Sequence, residues 1–410
     1  MAEQMPPRRR HLRSVVHATA LAVAFSAAAV AAAVSSAASP TSQSSTTRLA
    51  WFYKPPVDST SVKRLAGAAD ELILTGGRDV SYRERLRRAG YGGRALQYVD
   101  LPFARGGANP ADASFWPWDN QVAWNVGDFA KLIHPHEGWF LHGPGGQRCR
   151  EQIDSNGVKY LMNPAAPGWR TFVVKRIRWA YVNWKYDGVF FDNVWNAPLS
   201  LKRLSRICGG APREIGSDSE WRSATARLLA DVRALGRSVW ANTDGQDVYG
   251  RHLDGWMVEA FAGGWQSAYA SQAEIRATWR RVDRDARAGK RTILVAQGEQ
   301  GDTARTRFAF AAYLLVAGPR VAFRYSSVDG DAYRSLWNYP DYGRALGRPV
   351  GARRRVGGSR WRRDFTGGHV EVDLGTHAVT IRHARAALAG RPRAQEPPLG
   401  RRRSGGSAAQ

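Results

Sequence analysis

Two carboxyl side chains stand at the ends of apolar runs in this sequence, and their pairing suggests a specific chemistry. Asp192 ends the apolar part of "YDGVFFDNV", and Glu259 follows that of "DGWMVEAF". Burial raises the pKa of a carboxyl group, so one member of such a pair can stay protonated beside an ionised partner. Hydrolysis of a glycosidic bond requires one protonated and one ionised carboxyl group. We therefore predict Asp192 and Glu259 as a catalytic pair; the alternatives are a helix cap for Asp192 and a buried ion pair with Arg324 for Glu259.

Further polar and aromatic residues stand at the ends of neighbouring apolar runs. Carboxylate and amide groups hydrogen-bond to hydroxyl groups, and aromatic rings stack on the C–H faces of sugars. We therefore predict a substrate-binding set that consists of Trp51, Tyr53, Asp100, Asn193, Asn242, Asp244, Gln297 and Arg324. For Asp100 and Asp244 a structural role is an equal alternative. Asp187 and Asp254 precede their runs, so we expect both in turns or at the floor of the fold.

Other kinds of chemistry find little support. His134, His136 and His142 form a cluster, but their spacing fits no standard zinc pattern, so we predict structural or loop histidines. The sequence has no G-x-S-x-G motif, which disfavours a serine hydrolase of that type. We predict neither a metal nor a cofactor.

The chain is strongly basic, with a formal charge of +25 over 410 residues. Arginine-rich stretches lie at both ends, but no recognised nucleic-acid-binding motif accompanies them. We therefore predict a polysaccharide or oligosaccharide partner rather than a nucleic acid, with attraction to an anionic cell-wall surface as a further possibility.

Eight short apolar runs must position these residues. They occupy 48–55, 71–77, 94–103, 187–194, 238–245, 254–261, 291–299 and 320–327, and helical patterns separate most of them. This alternation predicts an α/β fold with parallel strands, specifically a (β/α)8 TIM barrel; an open doubly wound sheet is the alternative. In a TIM barrel the carboxyl ends of the strands form the active face, which would bring Asp192 and Glu259 together. A long aromatic excursion after the third run is expected to be ordered and to lie over the barrel mouth.

The sequence also predicts a domain order. Residues 1–38 have the basic start and Ala/Val-rich run of a signal peptide, although an uncleaved membrane anchor is the alternative. A linker (39–47), the barrel (48–340), a small antiparallel β unit (341–385) and a disordered basic tail (386–410) follow. An exported chain often pairs two cysteines, so a disulfide between Cys149 and Cys208 is favoured.

Several motifs in order resemble one known family. They are "WFLHGPGGQRC", "YLMNPAAPGWR", "YDGVFFDNV", "ANTDG", "GWMVEAF" and "WRRDFTGGHVEVDLG". Together they resemble the TIM-barrel enzymes of hypothetical glycosyl hydrolase family fifteen and, more distantly, polygalactosaminidase-like barrels. The resemblance implies a secreted bacterial glycoside hydrolase, with Asp192 as nucleophile and Glu259 as proton donor. A non-catalytic glycan- or wall-binding protein on the same scaffold is the alternative.

Overall fold

The computed structural model describes residues 47–56, 60–75, 77–107, 129–154, 157–243, 248–264, 268–327, 334–343 and 346–383. The predicted signal peptide, nearly all of the predicted linker and the predicted tail lie outside these residues, as do Asp244 and positions 108–128 of the excursion.

The described strands are β1 (Leu49–Tyr53), β2 (Ala69–Leu74), β3 (Arg94–Asp100), β4 (Phe103–Gly107), β5 (Arg150–Asp154), β6 (Gly157–Leu161), β7 (Gly188–Val194), β8 (Ser238–Thr243), β9 (Gly255–Val258), β10 (Arg291–Gln297), β11 (Val321–Ser326), β12 (Arg354–Gly357), β13 (Arg360–Phe365), β14 (Gly368–Asp373) and β15 (Val379–His383). The described α-helices are α1 (Val62–Ala68), α2 (Val80–Arg88), α3 (Pro167–Asn183), α4 (Arg203–Cys208), α5 (Asp218–Arg233), α6 (Gln272–Arg287) and α7 (Thr303–Leu314).

Eight parallel strands close into a barrel. Their order is β1, β2, β3, β7, β8, β9, β10 and β11, and β11 pairs again with β1. Helices lie between successive strands except β8 and β9, where the described part of the connection has one 3-10 turn, Gly250–His252. The prediction of a (β/α)8 barrel is confirmed, and the alternative of an open sheet is wrong.

Alternation along the strands decides which side chains reach the barrel interior. One interior cluster takes every second residue of the strands: Ala50, Phe52, Ile73, Leu96, Tyr98, Phe190, Trp240, Met257, Ile293, Val295 and Ala322. Phe191 packs outward in a different cluster with the helices. Continuing the alternation by two residues from Phe190, Trp240 and Met257 leads to Asp192, Asn242 and Glu259, so the three side chains share the inner side of the mouth.

The excursion after β3 contains a small sheet that the sequence pattern did not predict. β4, β6 and β5 pair antiparallel in that order. Lys159 on β6 forms an ion pair with Asp100 at the end of β3, with Nζ 3.1 Å from Oδ2, so this sheet borders the mouth. A disulfide joins Cys149, immediately before β5, to Cys208, the last residue of α4. The predicted pairing is therefore confirmed.

The C-terminal strands β12 to β15 form an antiparallel sheet, which confirms the predicted β unit. Val370, Val372 and Leu374 are buried in one core cluster with Phe308 and other residues of α7. In the described part of the chain, no helix combines the length and the apolar character that a membrane span needs.

Candidate active site

The carboxyl end of β7 is irregular at the residues that the sequence singled out. Phe191 pairs with Ala241, but the next pairing is between Val194 and Thr243, so β7 carries one extra residue. Asn193 has φ of 56°, a left-handed conformation that asparagine tolerates better than most residues. Bulges of this kind redirect side chains next to active sites. The bulge explains why polar residues interrupt the apolar run.

Three neutral donors hold the carboxylate of Asp192. The hydroxyl of Tyr98 donates to Oδ2. The backbone N–H of Asn193 and the amide Nδ2 of Asn242 both donate to Oδ1, at 2.9 and 3.0 Å. Together these bonds fix the orientation of the Asp192 carboxylate at the mouth.

Asn242 also connects Asp192 to Glu259. Its Nδ2 lies 2.9 Å from Oε2 of Glu259 and 3.0 Å from Oδ1 of Asp192, so these two oxygens are at most 5.9 Å apart, the sum of the two distances. The two N–H bonds of a planar amide diverge by about 120°, which places the two acceptors roughly 5 Å apart. The structure thus brings the two predicted catalytic residues together across one amide group.

The backbone after Glu259 is unusual. Ala260 and Ala262 both have positive φ, of 60° and 59°. Alanine disfavours this region, and such conformations concentrate at functional sites, where surrounding contacts hold them. The peptide N–H of Phe261 donates to Val295 of β10 at 2.8 Å, which anchors this turn to the barrel.

Two carboxyl groups at the site, those of Glu259 and Asp100, have raised pKa values. Burial, together with the neighbouring charge of Asp192, raises the pKa of Glu259 to about 7, although the hydrogen bond from Asn242 acts in the opposite direction. Burial also raises the pKa of Asp100 to about 6, with Lys159 opposing the shift. A carboxyl group with a pKa near 7 can hold a proton at neutral pH and release it, which is the property of a general acid.

Asp100 lies behind the mouth. Its side chain is only 1% exposed, and Oδ1 accepts a hydrogen bond from Nδ2 of Asn193 at 2.9 Å. Together with the Lys159 ion pair, this contact supports the structural alternative for Asp100, which positions the bulge of β7.

Three other predicted residues, Trp51, Gln297 and Arg324, lie on β1, β10 and β11. Trp51 is completely buried on the outer side of β1, so its ring offers no surface to a sugar; the interior residue is Phe52. Arg324 lies 4.2 Å above the Trp51 ring and donates to the carbonyl of Phe52 at 3.2 Å. Gln297 is buried at the end of β10. The side chain of Tyr53 and all of Asp244 lie outside the described residues.

Sequence reasoning missed two residues that shape the site, Tyr98 and Lys159. Tyr98 stands two residues before Asp100, on the interior side of β3, so strand alternation could have identified it. Lys159 carried no such signal because its strand, "GVKYL", has no clear apolar pattern.

The other predicted turn and cluster residues have structural contacts. Asp187 and Asp254 stand before β7 and β9, where they accept backbone hydrogen bonds from Ala95 and Val239 at 2.8 and 3.0 Å. His142 lies between two carboxylates, with Nδ1 2.6 Å from Glu214 and Nε2 2.7 Å from Glu137. These positions agree with the predicted floor and structural roles.

A search of curated proteins finds no match. Among solved structures, the glycoside hydrolase domain of PelA from Pseudomonas aeruginosa is 18% identical, with 70% of this chain and 96% of that chain covered and a TM-score of 0.45. The alpha-galactosidase TtGalA from Thermus thermophilus is 13% identical, with 73% and 55% covered and a TM-score of 0.41.

The sequence model of one family matches residues 118–369, which are 252 of the 410 residues and include both carboxylates. The match covers more than half of the chain and spans β5 to β13 together with the start of β14. The chain therefore belongs to hypothetical glycosyl hydrolase family 15 and is a glycoside hydrolase.

Proposed function

We propose that this protein hydrolyses a polysaccharide by a retaining mechanism, with Asp192 as nucleophile and Glu259 as acid/base. One observation carries the proposal: Nδ2 of Asn242 donates to both carboxylates, at 3.0 and 2.9 Å. In retaining enzymes the two carboxyl groups are about 5–5.5 Å apart, whereas inverting enzymes leave about 6.5–9.5 Å for a water molecule. The spacing that a shared amide permits favours retention.

The proposed reaction has two steps. In the first, an oxygen of Asp192 attacks the anomeric carbon and the bond to the leaving oxygen breaks, while Glu259 donates its proton to that oxygen. In the second, Glu259 takes a proton from water, whose oxygen attacks the same carbon and releases Asp192. Glu259 regains its proton, so the enzyme returns to its starting state.

The neighbouring groups support these assignments. The Tyr98 hydroxyl and the Asn242 amide orient the Asp192 carboxylate, so that one oxygen can face the sugar ring. The raised pKa of Glu259 provides the proton for the first step, and the charge on Asp192 contributes to it. Formation of the glycosyl-enzyme removes that charge, which lowers the pKa of Glu259 and keeps it ionised, so that it can act as the base in the second step.

We also propose that the enzyme acts outside the cell. The N-terminal segment 1–38 has the composition of an export signal, with a membrane anchor as the alternative, and the Cys149–Cys208 disulfide suits an oxidising compartment. Tyr53, Asn193, Asn242, Asp244 and Arg324 remain proposed contacts to the substrate, whereas Trp51 and Gln297 are completely buried.

Replacement of the two carboxyl groups tests the catalytic assignment. A panel of polysaccharides, followed by release of reducing ends, first identifies a cleaved substrate. Asp192→Asn and Glu259→Gln should each lower kcat by about 10³-fold or more, because each removes a group that acts in bond cleavage. Asp231→Asn and Glu84→Gln, at exposed positions on α5 and α2, should keep normal activity. Activity within about tenfold of normal in either site variant would reject the assignment.

Two further measurements separate the roles. Glu259→Gln should retain the glycosylation step on an aryl glycoside whose leaving group needs no proton, whereas Asp192→Asn should not. Proton NMR during the first minutes of hydrolysis should show a product with the anomeric configuration of the substrate. An initial product of opposite configuration would overturn retention and leave the hydrolase assignment intact.

A further inference from the structure

A cleft of about 530 Å³ adjoins the carboxylate site. Asn193, the residue that follows Asp192, forms part of its wall. The rest of the lining comes from β5, β6 and α4, together with the buried rings of Phe103 and Trp195. A sugar chain that crosses Asp192 can therefore continue into this cleft without leaving the mouth.

The cleft is lined by four basic side chains and one acidic one. Arg150 and Lys159 come from the small sheet, Arg203 and Arg206 come from α4, and the acid is Glu151. Asp100 forms an ion pair with Lys159, which leaves a surplus of positive charge. Arg150 and Arg206 are exposed, and neither forms an ion pair with any residue in the described part of the chain.

The fold holds these cations close to one another. Arg150 directly follows Cys149, and Arg206 stands two residues before Cys208, so the disulfide fixes their two elements together. The guanidinium of Arg203 lies 5.4 Å from the ring centre of Trp195. Like charges held in one cleft repel each other, and an anion between them would remove that repulsion. Guanidinium groups also match the geometry of carboxylate and sulfate oxygens.

We propose that this cleft is a subsite for an acidic sugar residue, so that the substrate is a polysaccharide with carboxylate or sulfate groups. This inference rests on the proposed hydrolase site. The basic side chains bind the anionic group of a sugar unit next to the cleaved bond, and Asn193 lies between that unit and Asp192.

Matched polymers test the charge preference. The full-length protein is assayed on a polyuronide, on the same polymer after its carboxyl groups have been reduced to alcohols, and on a sulfated glycan. Cleavage of either acidic polymer with a kcat/KM at least about tenfold above that of the neutral polymer supports the subsite and identifies the anionic group. Equal or better cleavage of the neutral polymer overturns it, while the hydrolase assignment stands.

Variants of two cleft residues test whether the cleft causes the preference for acidic polymers. Arg150→Gln combined with Arg206→Gln should raise KM for the acidic polymer about tenfold and change kcat by less than about twofold. Arg227→Gln, an exposed position on α5, controls for the loss of a positive charge elsewhere and should have no effect. If the cleft variant has the same KM for the acidic polymer as Arg227→Gln, the proposed subsite is rejected.

A binding measurement tests the acidic-sugar subsite independently of the proposed hydrolysis. Native gel electrophoresis in gels that contain each polymer measures retention without any hydrolysis. Retention by the acidic gel that is lost in the cleft variant supports the subsite even if no polymer is cleaved, in which case only the proposed reaction fails. Equal retention by acidic and neutral gels, or retention by neither, overturns the subsite.

Discussion

The side chain of Asn242 affects both carboxyl groups of the site. Its Nδ2 donates to Asp192 and Glu259, and the bond to Glu259 favours the ionised form of that acid. The pKa of Glu259 therefore results from burial and the Asp192 charge, which raise it, and from this one bond, which lowers it. In the proposed mechanism, the activity at neutral pH depends on that balance.

The first prediction concerns the alkaline side of the pH profile. Glu259 must be protonated to act as general acid, so kcat/KM should decrease as the pH rises through about 7. In Asn242→Ala the hydrogen bond that lowers the pKa is gone, so this decrease should move to higher pH. The measurement is kcat/KM from pH 4 to 10.

Asn183→Ala, at an exposed position at the end of α3, serves as the control and should leave the profile unchanged. A profile of Asn242→Ala that moves to lower pH, or stays in place, would contradict the role given to Asn242.

The direction and the contacts of single side chains could be predicted only in part from the sequence. Strand alternation on "DGVFFDN" predicts that Asp192 shares a side with Phe190, and the structure agrees. On β1, the structure places Phe52 rather than the predicted Trp51 on the interior side. The contacts of Tyr98, Asn242 and Lys159 depend on distances between strands, which residue spacing does not contain.

At the scale of the element, the bulge in β7 fixes the backbone directly after Asp192, whose inward direction already follows from the strand alternation. Asn193 contributes in two ways, through its left-handed backbone and through the bond from Nδ2 to Asp100. These two contributions can be separated because glycine keeps the backbone conformation and loses only the side chain.

The second prediction compares Asn193→Gly with Asn193→Ala. Both variants lose the bond to Asp100, but only alanine disfavours positive φ, by about 1 kcal/mol. Asn193→Gly should therefore have the larger free energy of unfolding of the two, measured by denaturant titration. The same substitutions at Asn183, the last helical residue of α3, should rank in the reverse order, because glycine destabilises helices. Equal stability of the two Asn193 variants would mean that the backbone conformation is not a constraint.

The third prediction concerns the segment before β5. Burial alone would lower the pKa of His142, but hydrogen bonds to Glu137 and Glu214 outweigh burial and raise it. The protonated form thus stabilises the fold below the unfolded pKa of about 6.5, and this contribution is lost as the pH rises through the folded value.

Denaturant titration between pH 5 and 9 measures this effect. The native protein should lose stability relative to His142→Gln as the pH rises above about 6.5. His383→Gln, at the exposed end of β15, should keep the native pH dependence. A constant difference between the native protein and His142→Gln would show that the ion pairs contribute nothing to stability.

The barrel strands were predictable, whereas the small sheet was not. Parallel strands are covered on both sides and read as continuous apolar runs, as in "GVFF" and "TILVA". The sequences of β5 and β6, "REQID" and "GVKYL", mix polar and apolar residues, because they pair on the rim of the mouth. The acidic-sugar cleft depends on that sheet, and so it could not be located from the sequence.

At the scale of the whole molecule, the C-terminal sheet completes the core around α7. The family match ends at residue 369, within β14, but Val370, Val372 and Leu374 are buried against that helix. The part of the chain needed for folding therefore extends beyond the matched region.

The fourth prediction tests this dependence by truncation. A chain that ends at residue 369 should be insoluble or melt at a much lower temperature, because it leaves the apolar surface of α7 uncovered. A chain that ends at His383 keeps every described strand and should melt like the full chain. Thermal melting followed by circular dichroism makes the comparison. Normal melting of the shorter chain would show that the sheet is dispensable.

The cross-link between the small sheet and α4 has a consequence for where the enzyme can work. It joins the two walls that carry Arg150 and Arg206, and its loss would let those walls separate while the barrel keeps Asp192 and Glu259 in place. In a reducing cell interior the chain could thus fold with Asp192 and Glu259 in place but bind an acidic polysaccharide more weakly. If the protein is exported as proposed, export would act as an activation step, because oxidation of this one cysteine pair outside the cell would complete substrate recognition.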